Sequence, residues 1–143
     1  MELTKEYLKT LYAHCNEKYF NNQLGKCEFS FFTKNNPAFG SYLSRNDSKG
    51  RPNDKIWIGT AIYWTEEILE RILVHEMVHM YVYRIEKCRH DGVLGHGWRF
   101  RRQRRRILKE YGLDILDFSN IEFKDKKLVP KLWEKVLLWL IDR

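Results

Sequence analysis

Within Val74-His75-Glu76-Met77-Val78-His79, two imidazoles stand four residues apart with a carboxylate between them. On an α-helix, residues four apart share a face about one turn from each other, so His75 and His79 can reach a single ion. Nitrogen ligands suit zinc, which favours tetrahedral coordination and, when three protein ligands bind, leaves a fourth position for water. Glu76 is rotated about 100 degrees from His75, which suits a carboxylate hydrogen-bonded to that water rather than to the metal. The chemistry expected is peptide-bond hydrolysis by metal-activated water, with Glu76 as general base. The competing reading is a pair of core histidines satisfied by protein groups. The metal reading is preferred because two imidazoles and a carboxylate in an otherwise apolar helix cost several kcal/mol unless partnered, and an ion supplies the partner.

A third ligand is required. The metzincin pattern would place glycine at position 82 and histidine at position 85, where this chain has Val82 and Ile85, so that class is excluded. His96, in Gly95-His96-Gly97, is the preferred third ligand, because on a helix from about His96 to Tyr111 it projects beside Phe100, Ile107 and Tyr111. His90 is the alternative, with Asp91 behind it; the polar stretch Glu86 to Gly92 leads both to be expected in solvent. His14 is expected to be structural or exposed. Tyr42, His90 and Arg89 are candidates for assisting an oxyanion.

Several elements must position these groups. Leu8, Leu11, Tyr12, Cys15 and Tyr19 recur at helical spacing and predict a helix over Thr4 to Phe20, stopped by Asn21, Asn22 and Gly25. Cys27 to Thr33, Phe39 to Arg45 and Lys55 to Ile62 are aromatic and β-branched, and predict a small, mainly antiparallel sheet. The wholly polar Asn46 to Asn53 predicts an exposed turn. Thr65, followed by Glu66 and Glu67, starts a helix reaching about Arg84, with apolar residues on nearly every face and therefore buried. Gly112 caps the basic helix that follows. A short strand is expected at Ile121 to Lys124 and a final helix over Pro130 to Ile141, in an extension spanning about 128–141. The expected class is α+β: a three- to four-stranded sheet against the N-terminal helix and the central motif helix, then the basic helix and the C-terminal helix. One domain is expected over 1–143.

Together, Tyr19-Phe20-Asn21 with Leu24, Gly40-Ser41-Tyr42, Ile56-Trp57-Ile58, His75-Glu76-Met77-Val78-His79 and Gly95-His96-Gly97-Trp98-Arg99-Phe100 resemble the SprT-like metallopeptidase domain, the family of bacterial SprT and the Spartan proteases of DNA repair. The resemblance runs from Tyr19 to about Leu113. It implies a small zincin-like fold, one zinc ion on His75, His79 and His96, and a catalytic Glu76. Many members carry a cysteine-built zinc ribbon that is missing from this sequence.

Three scattered cysteines, Cys15, Cys27 and Cys88, argue against a disulfide framework. No apolar leader lies between Met1 and Thr10, so a cytoplasmic, membrane-free location is expected, with a monomer as the working state. The net charge of +7 concentrates between Trp98 and Lys109. Arg99, Arg101, Arg102, Arg105, Arg106 and Lys109 spread over the faces left by an apolar stripe, whereas Arg104 points into that stripe and needs a carboxylate partner. A solvated face is the plain explanation. The position beside His96, and the DNA-linked substrates that the resemblance implies, favour contact with DNA. The leading expectation is thus a zinc endopeptidase acting on a protein or peptide substrate, including DNA-bound or DNA-crosslinked protein. The alternative is a nucleic-acid-binding module with a structural zinc and no protease activity.

Overall fold

The structure is a computed structural model and describes residues 1–128. Helix α1, Lys5–Phe20, begins where the Thr4 hydroxyl accepts from the Tyr7 amide and ends at Asn21 in the left-handed region, φ 52°. Its inward face carries Leu8, Tyr12, Cys15, Asn16, Tyr19 and Phe20, the side the helical spacing predicts.

Strands β1 (Cys27–Phe31), β2 (Gly40–Leu43) and β3 (Asp54–Ile58) form one sheet in the order β1-β3-β2. β2 runs antiparallel to β3, but β1 runs parallel to it, so the sheet is mixed and the mainly antiparallel expectation is corrected. The last strand in sequence is the middle one in space. β3 fits that place because Asp54, Ile56 and Ile58 are all fully buried, while β2 has Leu43 exposed at one end and forms an edge. Each strand is also shorter than the apolar runs suggest. The strand expected at Ile121 to Lys124 is a single bridge, Ile62 to Phe123, with the Tyr63 amide donating to Glu122 O and the Lys124 amide to Ala61 O.

Helix α2, Glu66–Arg84, starts with the Thr65 hydroxyl accepting from the Ile68 amide at 3.2 Å. Ile68, Leu69, Ile72, Leu73, Val74, Met77, Val78, Met80 and Val82 are buried around it. Its far end is locked to the sheet by Arg84, whose Nε donates to Asp54 Oδ2 at 2.9 Å and whose Nη2 donates to Asp54 Oδ1 at 2.6 Å. Asp54 also accepts from the Tyr42 hydroxyl and the Arg45 amide. One buried carboxylate thereby joins α2, β2 and β3.

A short 3-10 turn at Val93–Gly95 leads into helix α3, Trp98–Tyr111, which Gly112 closes in the left-handed region at φ 71°. The helix starts two residues later than the sequence pattern suggests. A second 3-10 turn, Lys126–Leu128, ends the described region. The C-terminal helix expected over Pro130 to Ile141 lies outside the described residues. Among the described residues, no helix is long and apolar enough to cross a membrane.

Candidate metal centre

His75, Glu76 and His79 lie in the middle of α2, and His96 comes from the turn before α3. The three imidazoles converge. Nε2 of His75 is 3.3 Å from Nε2 of His79 and 3.2 Å from Nε2 of His96. Ligating atoms of all three lie within 4.8 Å of one another. Tetrahedral zinc with nitrogens about 2.0–2.1 Å away separates its ligands by about 3.3 Å, so the spacing fits the ion. Its chemistry fits as well. His75 Nδ1 is 3.0 Å from the carbonyl oxygen of Ile115, which can only accept, so Nδ1 carries the proton and Nε2 turns a lone pair to its neighbours. An imidazole nitrogen presenting its lone pair in this way is the form that coordinates a metal.

Burial keeps the imidazoles neutral. It lowers His75 to about 3, assisted by His96 and opposed by the Ile115 carbonyl. It holds His79 well below the ordinary range, with His75 and His96 adding to the effect. His96 falls to about 4, again by burial, which outweighs the opposing pull of Asp91. Neutral imidazole is the form that binds metal, so the cluster needs no deprotonation near neutral pH.

Phe100, fully buried, closes one side of the cluster. Its ring centroid is 4.9 Å from that of His75 and 4.7 Å from those of His79 and His96. Glu76 is 3% exposed, and its Oε2 is buried with no hydrogen-bond partner. Burial pushes this carboxyl up to about 8. Without a cation this dry carboxyl keeps its proton near neutral pH; a bound ion would favour the carboxylate, the form able to take a proton from a ligand of that ion.

The loop before α3 sets the position of His96. Asp91 was expected in solvent; it is instead buried, with its carboxylate accepting from the Arg99 amide at 3.2 Å and the Phe100 amide at 2.7 Å. It therefore caps α3, a role Gly97 at the N-cap cannot fill. The Gly97 amide donates to Asp91 O at 2.7 Å, and a Cβ on Gly97 would stand 2.5 Å from Asp91 Oδ1 and 2.7 Å from Asp91 C. The turn closes only on glycine, and that closure buries the acid. His90, the alternative ligand, is exposed and outside the histidine cluster, as is His14. The Tyr42 hydroxyl is committed to Asp54.

The basic residues of α3 divide into two groups. Arg104 forks onto Asp114, Nε to Oδ1 at 2.9 Å and Nη2 to Oδ2 at 3.0 Å, which supplies the carboxylate its inward position required. Arg106 donates to Gln103 Oε1 and to Tyr19 O, and lies 3.7 Å from Glu110. Arg102 pairs with Glu86, Arg99 lies 4.0 Å from the same carboxylate, and both guanidinium groups sit over the exposed Trp98 ring. Arg105 and Lys109 are exposed and Arg101 half-buried, following Trp98 along the helix at steps of three and four.

Two histidines of α2 and one from the turn before α3 thus form a group that could hold a metal ion, in a chain of mixed α and β structure. Residues 8–124 match the model of the SprT-like family, and the chain belongs to that family. The match extends beyond both ends of the Tyr19 to Leu113 stretch that carries the sequence resemblance. No curated protein aligns significantly with the chain.

Proposed function

We propose that the chain is a zinc-dependent endopeptidase of zincin-like design, in which His75, His79 and His96 hold one zinc ion and Glu76 is the catalytic base. The observation that carries this reading is the approach of His79 Nε2 and His96 Nε2 to 3.3 Å and 3.2 Å from His75 Nε2, with the buried, unpartnered Glu76 carboxyl next to His75 in the chain. A zinc ion held there would supply a Lewis acid for a peptide carbonyl and would make a water bound to it more acidic. Glu76 takes the water's proton and passes it to the departing amine. Phe100 covers one side of the three imidazoles, and the lowered polarity on that side strengthens electrostatic interactions there. The whole chain, 1–143, works as one domain and as a cytoplasmic monomer on this reading.

The substrates that best suit the charge pattern are DNA-bound or DNA-crosslinked proteins. Arg99, Arg101, Arg102, Arg105 and Lys109, with Arg106 at the inner border, form a basic face that begins three residues after His96. The same face supports the second reading, a nucleic-acid-binding module whose zinc is structural. Glu76→Gln separates the two. A zinc-loaded variant that no longer cleaves casein, or protein tethered to DNA, supports the peptidase, whereas undiminished cleavage removes Glu76 as the base. If neither the native chain nor the variant cleaves while both bind DNA equally, the binding module is the better account.

A further inference from the structure

Beyond the end of α3 the chain turns back across the metal centre. We infer that the turn Asp114 to Asp117 is a clamped strap whose function is to hold His75 in its metal-binding tautomer, with Arg104 and Arg71 as positioning residues. The inference rests on the metal-site reading above.

The strap is fixed at both ends. At the first, the Arg104 fork from α3 holds the Asp114 carboxylate through two hydrogen bonds, and the Leu116 amide donates to Asp114 Oδ1 at 3.1 Å. At the second, Arg71 Nη1 donates to the Asp117 carbonyl at 2.9 Å. Arg71 lies four residues before His75 on α2, so it projects on the same side of the helix one turn earlier. The Asp117 amide donates to Asp114 O at 3.2 Å and closes the turn on itself. Between the clamps, Ile115 and Leu116 are buried, and the Ile115 carbonyl meets His75 Nδ1. The helix that carries His75 and His79 and the helix that carries Phe100 thus also grip the backbone that orients the His75 imidazole.

Planar, two-point recognition explains why Arg104 must be arginine. A fork onto both carboxylate oxygens fixes the direction of Asp114 as well as its distance, which a lysine point charge does not. Fixing Asp114 fixes Leu116 N, and with it the peptide carrying the Ile115 carbonyl. A backbone carbonyl on a ligand imidazole sets which nitrogen is protonated and which is offered to the ion, and losing such a partner typically costs 10- to 100-fold in metal affinity. The charge of Arg104 itself is far less important than the line along which the strap is held.

The test measures zinc affinity by competition with a chelator and, in the metal-free chain, the His75 tautomer from its ring 15N shifts, alongside thermal stability. Arg104→Leu is expected to weaken zinc binding about tenfold or more and to abolish the single Nδ1–H signature of His75. Arg104→Lys should recover only part of the loss, because it keeps the charge and loses the fork. Asp114→Asn decides the matter if Arg104→Leu fails to fold, since it keeps the side chain's shape and weakens only the fork. Native affinity together with an unchanged tautomer in the folded variants would overturn the strap while leaving the metal site intact. A native chain that binds no divalent ion would instead remove the reading on which the strap rests.

Discussion

Gly40 at the start of β2 lies directly against the carboxylate of Glu76. A Cβ at Gly40 would stand 3.1 Å from Glu76 Oε2 and 3.2 Å from Glu76 Cγ, with Ile72 Cγ2 at the same 3.2 Å on the other side. Glu76 is confined by α2 and cannot retreat without disturbing the buried packing around Ile72 and Met77. Gly40→Ala is therefore expected to shift the carboxylate by a few tenths of an ångström and to lower peptide hydrolysis about tenfold, because small misplacements of a catalytic base are costly. Zinc stoichiometry should stay at the native value, since His75, His79 and His96 do not touch Gly40. Native cleavage rates in a Gly40→Ala chain would show that Glu76 needs no such room.

The dry surroundings of Glu76 also predict how metal binding couples to protons. Its carboxyl is raised by burial from an ordinary value of 4.5 to about 8. Between those values the folded, metal-free chain keeps a proton that the unfolded chain has lost, so its stability falls as pH rises through that window, by on the order of a few kcal/mol. A nearby divalent cation favours the carboxylate and reverses the effect. Zinc affinity should accordingly increase from about pH 5 to pH 8, with up to one proton released per ion bound. Calorimetric titrations in two buffers of different ionisation enthalpy measure that release. Zero release at pH 7 would mean that Glu76 is already ionised without metal.

Much of this site is legible in the sequence, for reasons that particular residues make plain. His75 and His79 are readable because a helix converts a separation of four into a shared face. His96 is readable only in part: the helical pattern includes it on the helix of Phe100, yet it precedes that helix and reaches the cluster from a turn. The burial of Asp91 is not legible, because a lone acid in a polar stretch carries no sign of it and only the tight closure onto Gly97 creates it. The Ile115 carbonyl is invisible in principle, since any residue has one. Asp54 and Arg84 stand thirty positions apart, and their pairing depends on β3 taking the middle of the sheet, a strand order that periodicity does not encode.

That pairing has its own consequence. Burial alone would raise the Asp54 carboxyl, but hydrogen bonds from Arg84, the Arg45 amide and Tyr42 outweigh it, and the net shift is downward from 3.8. The stabilisation is therefore fully present above the unfolded-state value and is lost as pH falls through the lower folded-state one. Asp54→Asn is expected to cost about 3 kcal/mol at neutral pH, because it leaves the half-buried Arg84 guanidinium without its counter-charge. It should also flatten the acid limb of stability against pH. Urea unfolding of both chains from pH 7 downward tests the pair, and parallel curves with no offset would show that Asp54 contributes nothing.

The exposed line of cations on α3 makes the last prediction, and the pairing of its neighbours sharpens it. Arg104 and Arg106 are occupied by groups of the protein itself, and Arg99 and Arg102 share Glu86. On the proposed DNA reading, phosphate contact would fall mainly to Arg101, Arg105 and Lys109, which recur every four residues and so share one side of the helix. Three phosphates neutralised correspond to a slope of log K on log salt of about −2 for single-stranded DNA and about −3 for duplex. Replacing Arg101, Arg105 and Lys109 with glutamate should abolish that binding and its salt dependence while leaving zinc content and casein cleavage at native levels. Arg106→Glu should instead destabilise the chain, because its guanidinium holds the Tyr19 carbonyl at the end of α1. If the triple replacement binds DNA as the native chain does, the basic face is a solvated surface and the contact with nucleic acid lies elsewhere or nowhere. If it loses casein cleavage as well, with zinc still bound, the cations act on the protein substrate rather than on phosphate.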